Sequence, residues 1–279
     1  MDDRLKELSR IAYRIRIEVL KSVYTAGSGH IGGSFSAAEI MSLLFFDKMN
    51  IFPLKPEFAD RDRFILSKGH VAPVLYAALA LRGFFPVQEL ATLRKMDSRL
   101  PGHPAYKKTP GVDMVSGSLG QGLSVGLGIR LAARHQGKDF RTFVLLGDGE
   151  IQEGSVWESA MAAAHFKINN LIAILDYNRV QLDGTVGEIM EVSPVADKWR
   201  SFGWKVIECD GHNVEALDSA FDLAIETAKS GPVIIIGSTV KGKGVSFMEN
   251  KAAWHGACPS STEYECAFKE LNDKLGCMS

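Results

Sequence analysis

The chain has 279 residues, of which 46% are hydrophobic and 23% charged, with a formal net charge of −1. These values fit one large globular domain or two small ones, with enough apolar material for a substantial core. They give no support to a nucleic-acid surface or an anionic-membrane anchor, and no apolar run approaches membrane-spanning length.

Met1-Asp2-Asp3-Arg4-Leu5-Lys6 opens the chain on charge, without the apolar core of a signal peptide. Leu5, Leu8, Ala12, Ile15 and Val19 recur at three- and four-residue steps. They predict a long amphipathic helix ending near Gly27 and Gly29. A second helix is expected over roughly Ala37 to Phe46. Asp62 to Leu66 reads as a strand running into a loop at His70, followed by a helix from about Ala72 to Leu81. A short helix near Val87 to Arg94 leads to a Pro-broken loop, Leu100 to Gly111.

The next helix, roughly Leu119 to His135, has Gly120, Gly122, Gly126 and Gly128 in or near it. Each interior glycine costs about 0.5–1 kcal/mol relative to alanine. Two explanations could offset that cost. One is close approach of another backbone or a cofactor; the other is tight packing against the chain's own sheet.

Phe143 to Leu146 is an apolar run ending in Gly147-Asp148-Gly149. Leu171 to Leu175 is a second, ending in Asp176-Tyr177-Asn178, with a helix expected between them from Ser155 to Phe166. Two buried strands thus each deliver an oxygen ligand at their C-terminal ends, where open α/β sheets bind ligands. The Asp148 carboxylate and Asn178 amide oxygen suit a hard cation such as Mg²⁺, which usually carries phosphate oxygens as well. A dinucleotide fingerprint would need G-x-G-x-x-G, whereas here the third glycine is late, at Gly154. Asp148 would also repel a bare pyrophosphate, and a metal between them turns that repulsion into attraction. A plain strand-turn-helix with Asp148 as a cap would explain an isolated Gly-Asp-Gly, but not the matched Asn178.

Downstream come a helix near Pro194 to Phe202, a strand Lys205 to Cys209, a helix Glu215 to Ser230 and a strand Val233 to Ser238. The alternation predicts an α/β fold with a mainly parallel sheet and helices on both faces. A tail from about 241 to 279 carries Lys241-Gly242-Lys243-Gly244, a loop at His255 and a last helix from about Glu263. Ser260 or Thr262 could cap that helix, with Glu263 or Glu265 three residues on. Cys209, Cys258, Cys266 and Cys277 form no C-x-x-C pair, and read as reduced thiols of a cytoplasmic protein in preference to disulfides.

Of seven histidines, five adjoin a glycine: His30, His70, His103, His212 and His255. Singly, each reads as a surface or structural histidine. Beside a diphosphate site they read as a cluster for phosphate binding and proton transfer. His135 and His165 fall on expected helices as ordinary helix residues.

The stretch from Gly147 to Asn178 resembles the thiamine-diphosphate signature. Glu153-Gly154, Trp157-Glu158-Ser159-Ala160 and the run from Asp176 to Gly184 make it similar to transketolase. So do Ser28-Gly29-His30, Ser67-Lys68-Gly69-His70, Pro101-Gly102-His103-Pro104, Gly117-Ser118-Leu119-Gly120-Gln121-Gly122, Asp210-Gly211-His212, Lys241-Gly242-Lys243-Gly244 and His255-Gly256-Ala257, in that order along nearly the whole chain. The chain resembles only the first, diphosphate-binding domain of the family, as in the N-terminal subunit of split transketolases. The resemblance implies a single domain over 1–279, with the pyrimidine-binding domain absent.

The resemblance also implies cofactors and roles. Thiamine diphosphate and Mg²⁺ are the implied cofactors, with Ca²⁺ or Mn²⁺ as substitutes. Asp148, Asn178 and the Val180 carbonyl match the metal ligands. His70, Gly149 and Asn178 match diphosphate contacts. Gly117, Ser118 and Leu119 match the cofactor's aminopyrimidine pocket, Leu119 by packing. His30 and His103 match residues that contact the reacting carbons and shuttle protons, and His255 one near both diphosphate and substrate. Ile31 stands where the family usually has proline, which bears on the placement of the His30 loop. His212 matches a loop motif without a catalytic role. Glu153 reads as a helix-start acid, and matches a family residue at the subunit interface.

The implied chemistry is transfer of a two-carbon ketol unit from a ketose phosphate to an aldose phosphate, as in pentose phosphate metabolism. In the family the cofactor-activating Glu and most substrate-phosphate contacts belong to the pyrimidine-binding domain. The resemblance therefore implies a C-terminal partner subunit, in an α₂β₂ assembly with the cofactor at the interface. Another thiamine enzyme is an alternative, deoxyxylulose-phosphate synthase-like or oxo-acid dehydrogenase α-like; a non-catalytic scaffold subunit is a second. The Glu153-Gly154 pair and the Pro101-Gly102-His103-Pro104 loop favour transketolase, and the intact Asp148, Asn178, His70, His103 and His255 favour catalysis.

Overall fold

The computed structural model describes residues 2–278. Five strands, β1 (Arg63–Leu66), β2 (Thr142–Gly147), β3 (Leu171–Tyr177), β4 (Lys205–Asp210) and β5 (Val233–Ser238), form one parallel sheet in the order β1-β2-β3-β5-β4. Side chains alternate between its faces. Phe143 and Leu145 of β2, with Ile172 and Ile174 of β3, enter one core, whereas Val144, Leu146, Ala173 and Leu175 enter the other. Burial on both faces explains the continuous apolar runs of the three central strands.

The first core receives helices α1 (Asp3–Ala26), α2 (Ile31–Ser36), α3 (Ala38–Leu43) and α4 (Ala72–Arg82). The second receives α5 (Gly122–His135), α6 (Gly154–His165) and α8 (Val195–Ser201), with the short α7 (Val186–Ile189) before it. Helix α9 (Val214–Thr227) returns to the first core, and α10 (Ser261–Gly276) packs there against α1 through Ala267 and Leu271. The chain advances through β1, β2 and β3, overshoots to the edge strand β4, and steps back to β5. Right-handed crossovers require the returning helix, α9, to lie on the face opposite α6 and α8, as it does.

Several expectations shift in detail. The helix expected over Ala37 to Phe46 is α3 followed by a π-type turn, Leu44–Lys48. The preceding α2 is unforeseen because it contains Gly32 and Gly33, poor helix formers. Tertiary packing requires them: a Cβ on Gly32 would lie 2.8 Å from the Trp254 carbonyl oxygen, and one on Gly33 2.8 Å from Val71. Helix α5 begins at Gly122 rather than Leu119, since Gly120 sits at φ +81° and turns the chain first.

Two of the three glycines of α5 pack closely, Gly126 against the chain's own sheet and Gly122 against the turn that follows β1. A Cβ on Gly126 would lie 2.7 Å from Val144 Cγ2, and one on Gly122 2.4 Å from Ser67 Cβ, whereas Gly128 has nothing within 4 Å. The last helix carries a capping box of Ser260 and Glu263. All four cysteines are free. Among the described residues no helix is long and apolar enough to cross a membrane.

Candidate active site

The register Gly147↔Asp176 sets the tips of β2 and β3 side by side, so Asp148 and Asn178 leave the same edge of the sheet. A cavity of about 340 Å³ opens there. Asp148, Asn178, Val180, His70, Lys241 and His255 are among its walls. It stands over the C-terminal strand ends, the expected ligand position in an open parallel sheet.

Two buried carboxylates organise the strand ends beneath it, Glu150 lining the cavity and Asp176 lying behind that lining. Asp176 is fully buried and receives hydrogen bonds from Lys68, Thr239 and, at 2.5 Å, Ser36. Burial alone would raise its pKa, but the Lys68 ammonium and these donors outweigh that and hold it below the ordinary carboxylate range. Glu150 accepts hydrogen bonds from the Gly120 N–H and the Gly147 N–H, each at 3.0 Å, and from the Ser67 hydroxyl. One side chain thus ties together the segments that follow β1, precede α5 and end β2. Burial pushes the Glu150 pKa up.

Three oxygen-bearing groups, the Asp148 carboxylate, the Asn178 amide and the Val180 carbonyl, belong to residues that line the cavity. Asp148 is buried and accepts the backbone N–H of Gly149 at 2.8 Å and that of Arg179. Its pKa is raised to about 6, by burial first and the Asp176 charge second. Asn178 Oδ1 accepts the Val180 N–H at 3.1 Å. The Val180 carbonyl meets the buried ammonium of Lys241 at 3.0 Å. Among the described residues no three His, Cys, Asp or Glu side chains cluster as a metal site. Asp148, Asn178 and the Val180 carbonyl offer an all-oxygen set of the kind that could hold a hard cation.

His30, His70 and His255 pack as a triangle, with ring centroids 5.0–5.4 Å apart. Burial is the main cause that lowers each pKa, to about 4, 2 and 3 respectively, so all three are neutral at pH 7. Lys241 lies 2.8 Å from His255 Nδ1. An ammonium can only donate, so Nδ1 accepts and the His255 proton sits on Nε2. Lys241 itself is brought down to about 8 by burial and the Lys68 charge. His30 Nδ1 is buried without a hydrogen-bond partner among the described residues.

The structure thus brings Asp148, Gly149, Asn178, Val180, His70, His255 and Leu119 to one cavity. His30 joins through ring contact, with Ile31 buried behind it as the first residue of α2. Gly117 and Ser118 are exposed beside Leu119 and are not among the cavity's walls. His103 is exposed in a separate hollow with Arg94 and Lys108, and its ring faces Gly117. Burial and Arg94 lower its pKa. Glu153 is the N-cap residue of α6, in keeping with a helix-start acid; its side chain makes no cap hydrogen bond and also lines the cavity. Lys68, Glu150, Asp176 and Lys241 escaped assignment from sequence alone. Their signal was present only as charged residues flanked by glycine or apolar strand.

A parallel α/β domain with an oxygen-rimmed, histidine-walled cavity over its central strand tips belongs to the class that binds a phosphorylated cofactor there. Residues 8–277 match the family described as transketolase, thiamine diphosphate binding domain. One subunit of the apulose-4-phosphate transketolase of Phocaeicola vulgatus is 42% identical over 260 residues, covering 93% of this chain and 92% of that relative. The 6-deoxy-6-sulfo-D-fructose transketolase subunit SqwG of Clostridium sp. is 42% identical over 271 residues, covering 97% and 98%. Transketolase from Pichia stipitis in complex with sedoheptulose-7-phosphate superposes with a TM-score of 0.90 at 31% identity. That match covers 97% of this chain and 41% of the solved one. The chain belongs to the transketolase family, as its N-terminal, thiamine-diphosphate-binding domain.

Proposed function

We propose that this chain is the cofactor-holding subunit of a two-part transketolase, acting on a ketose phosphate donor and an aldose phosphate acceptor. The observation that carries the reading is the near end-to-end match to two relatives named as transketolase subunits. Residues 1–279, tail included, would form one diphosphate-binding domain; the burial of Ala267 and Leu271 in the first core supports this.

Thiamine diphosphate, when bound, supplies the nucleophilic carbon through which the two-carbon ketol unit passes. The chain's own residues hold and orient it. Asp148, Asn178 and the Val180 carbonyl would ligate Mg²⁺, or Ca²⁺ or Mn²⁺ in its place. The fit rests on their hard-oxygen chemistry and on the Lys241 cation already resting against Val180. His70, Gly149, Asn178 and Lys241 would face the diphosphate, and Gly117, Ser118 and Leu119 the aminopyrimidine. The neutral His30 and His103 would accept and return hydroxyl protons of the sugars, and His255, its Nδ1 taken by Lys241, would donate from its protonated Nε2.

A pyrimidine-binding partner subunit would close the mouth, in an α₂β₂ assembly in the cytoplasm. Leu119, Leu182 and Met190 are exposed by 37%, 60% and 61%, and the first two line the cavity itself. Such an apolar rim suits burial against another protein. The four free cysteines are in keeping with a reducing compartment. The test is to purify the chain alone and with its partner and assay ketol transfer with a ketose phosphate donor, against pyruvate as control. Turnover should need both subunits; full activity of the isolated chain overturns the half-site reading, and pyruvate turnover the substrate class.

A further inference from the structure

His212 lies at the turn between β4 and α9 and takes no part in the chemistry proposed above. Its two ring nitrogens nevertheless have different, fixed partners. Nδ1 lies 2.9 Å from Glu39 Oε2, and Nε2 receives the Val240 N–H at 2.8 Å. Glu39 is buried and also takes Arg16 Nη2 at 2.6 Å, an arginine with no exposed surface. A carboxylate paired to a guanidinium stays ionised, so it accepts and Nδ1 must donate. The remaining nitrogen, Nε2, is then a bare acceptor, which is what an N–H donor such as Val240 requires.

Val240 separates two site residues. Thr239 donates to Asp176, and Lys241 reaches Val180, Gln181 and His255. We propose that His212 is a positioning residue for cofactor binding: Glu39 fixes its tautomer, Nε2 pins the Val240 amide, and the pinned backbone aims Lys241 into the cavity. The inference rests on the reading of Lys241 as a cofactor-facing cation. The neighbouring anchors, Thr239 N–H to Tyr177 O and Gly242 N–H to Gly32 O, hold the segment's two ends; Lys243 N–H and Asn250 N–H hold the Val240 and Lys241 carbonyls, and His212 takes the Val240 N–H.

The test compares His212→Asn, which keeps a donor near Glu39 but cannot reach Val240, with His212→Gln, which keeps an acceptor at the reach of Nε2. Thiamine diphosphate uptake with Mg²⁺ is measured by calorimetry on the two-subunit complex, together with amide exchange at residues 239–241. His212→Asn should weaken uptake roughly tenfold, equivalent to about 1.4 kcal/mol, and speed exchange at Val240. His212→Gln should restore both to within about threefold. Unchanged uptake and exchange in folded His212→Asn overturn the inference. Lys241→Met is the control: if it leaves uptake unchanged, the reading of Lys241 fails instead. Should the variants not fold, nitrogen NMR of the native protein decides. A protonated Nδ1 with a bare Nε2 supports the pin, and the reverse tautomer overturns it.

Discussion

The Lys241 ammonium rests 3.0 Å from the Val180 carbonyl oxygen, with its pKa brought down to about 8 by burial. A cation held at the cost of desolvation is poised for an anion. Lys241→Met should weaken thiamine diphosphate uptake by more than tenfold at saturating Mg²⁺, read by calorimetry on the complex. The ligand-free chain should melt at a similar temperature, because losing the buried charge offsets the acceptors left at Val180, Gln181 and His255. A drop in both would mark Lys241 as a structural cation.

Asp148 offers the single carboxylate of the oxygen rim. Asp148→Asn keeps its shape and its neighbours' packing but removes the charge a divalent ion needs. If Asp148 holds a divalent ion as proposed, ketol transfer should fall by at least about a hundredfold, since such an ion would supply several kcal/mol, while sedimentation still shows an intact complex. Chelation of the wild-type complex should release the cofactor in a dialysis assay, and Mn²⁺ or Ca²⁺ should restore it. Retained uptake after chelation would remove the metal from the site.

Glu150 accepts from Ser67, Gly120 and Gly147. Glu150→Ala strands two buried N–H groups and a hydroxyl. An unsatisfied buried donor costs about 1–3 kcal/mol, so chemical denaturation should show a loss of at least roughly 2 kcal/mol. Glu150→Gln should lose less, keeping one acceptor oxygen.

Glu39 should govern acid stability. Burial would raise its pKa, but Arg16 first and His212 next bring it down to about 2 from 4.5. A depressed carboxyl adds its stability in full above about pH 4.5 and loses it as pH falls toward 2. That contribution is on the order of 3 kcal/mol. Denaturant midpoints at pH 6, 4 and 3 should trace the loss, and Glu39→Gln should flatten it. The same variant should cost about 3–5 kcal/mol at pH 7 by leaving Arg16 buried and unpaired.

The apolar runs of β2, β3 and β5 made the parallel sheet legible, because strands buried on both faces carry little else. Asp148 and Asn178 were legible with it, since a strand tip fixes the residue that follows it. The Lys68–Asp176 pair was not: its partners lie 108 residues apart and meet only because β1 and β3 flank β2. Glu150 was hidden for a similar reason, as two of its three donors come from other loops. Helix α2 was hidden by Gly32 and Gly33, whose packing demand overrides their weak helix propensity.

The same conflict between propensity and packing gives a contrast within one helix. Gly126 faces the sheet, where an added Cβ would stand 2.7 Å from Val144 Cγ2. Gly126→Ala must displace a buried strand residue, and overpacking of this kind costs about 1–3 kcal/mol. Gly128 lies two positions on and meets nothing within 4 Å. Gly128→Ala gains helix propensity without a clash and should stabilise by about 0.5–1 kcal/mol. Calorimetric melting of the two variants should therefore move in opposite directions. If both destabilise, the outer face of α5 is covered in the assembly; if both stabilise, the α5–β2 packing is looser than the 2.7 Å approach requires.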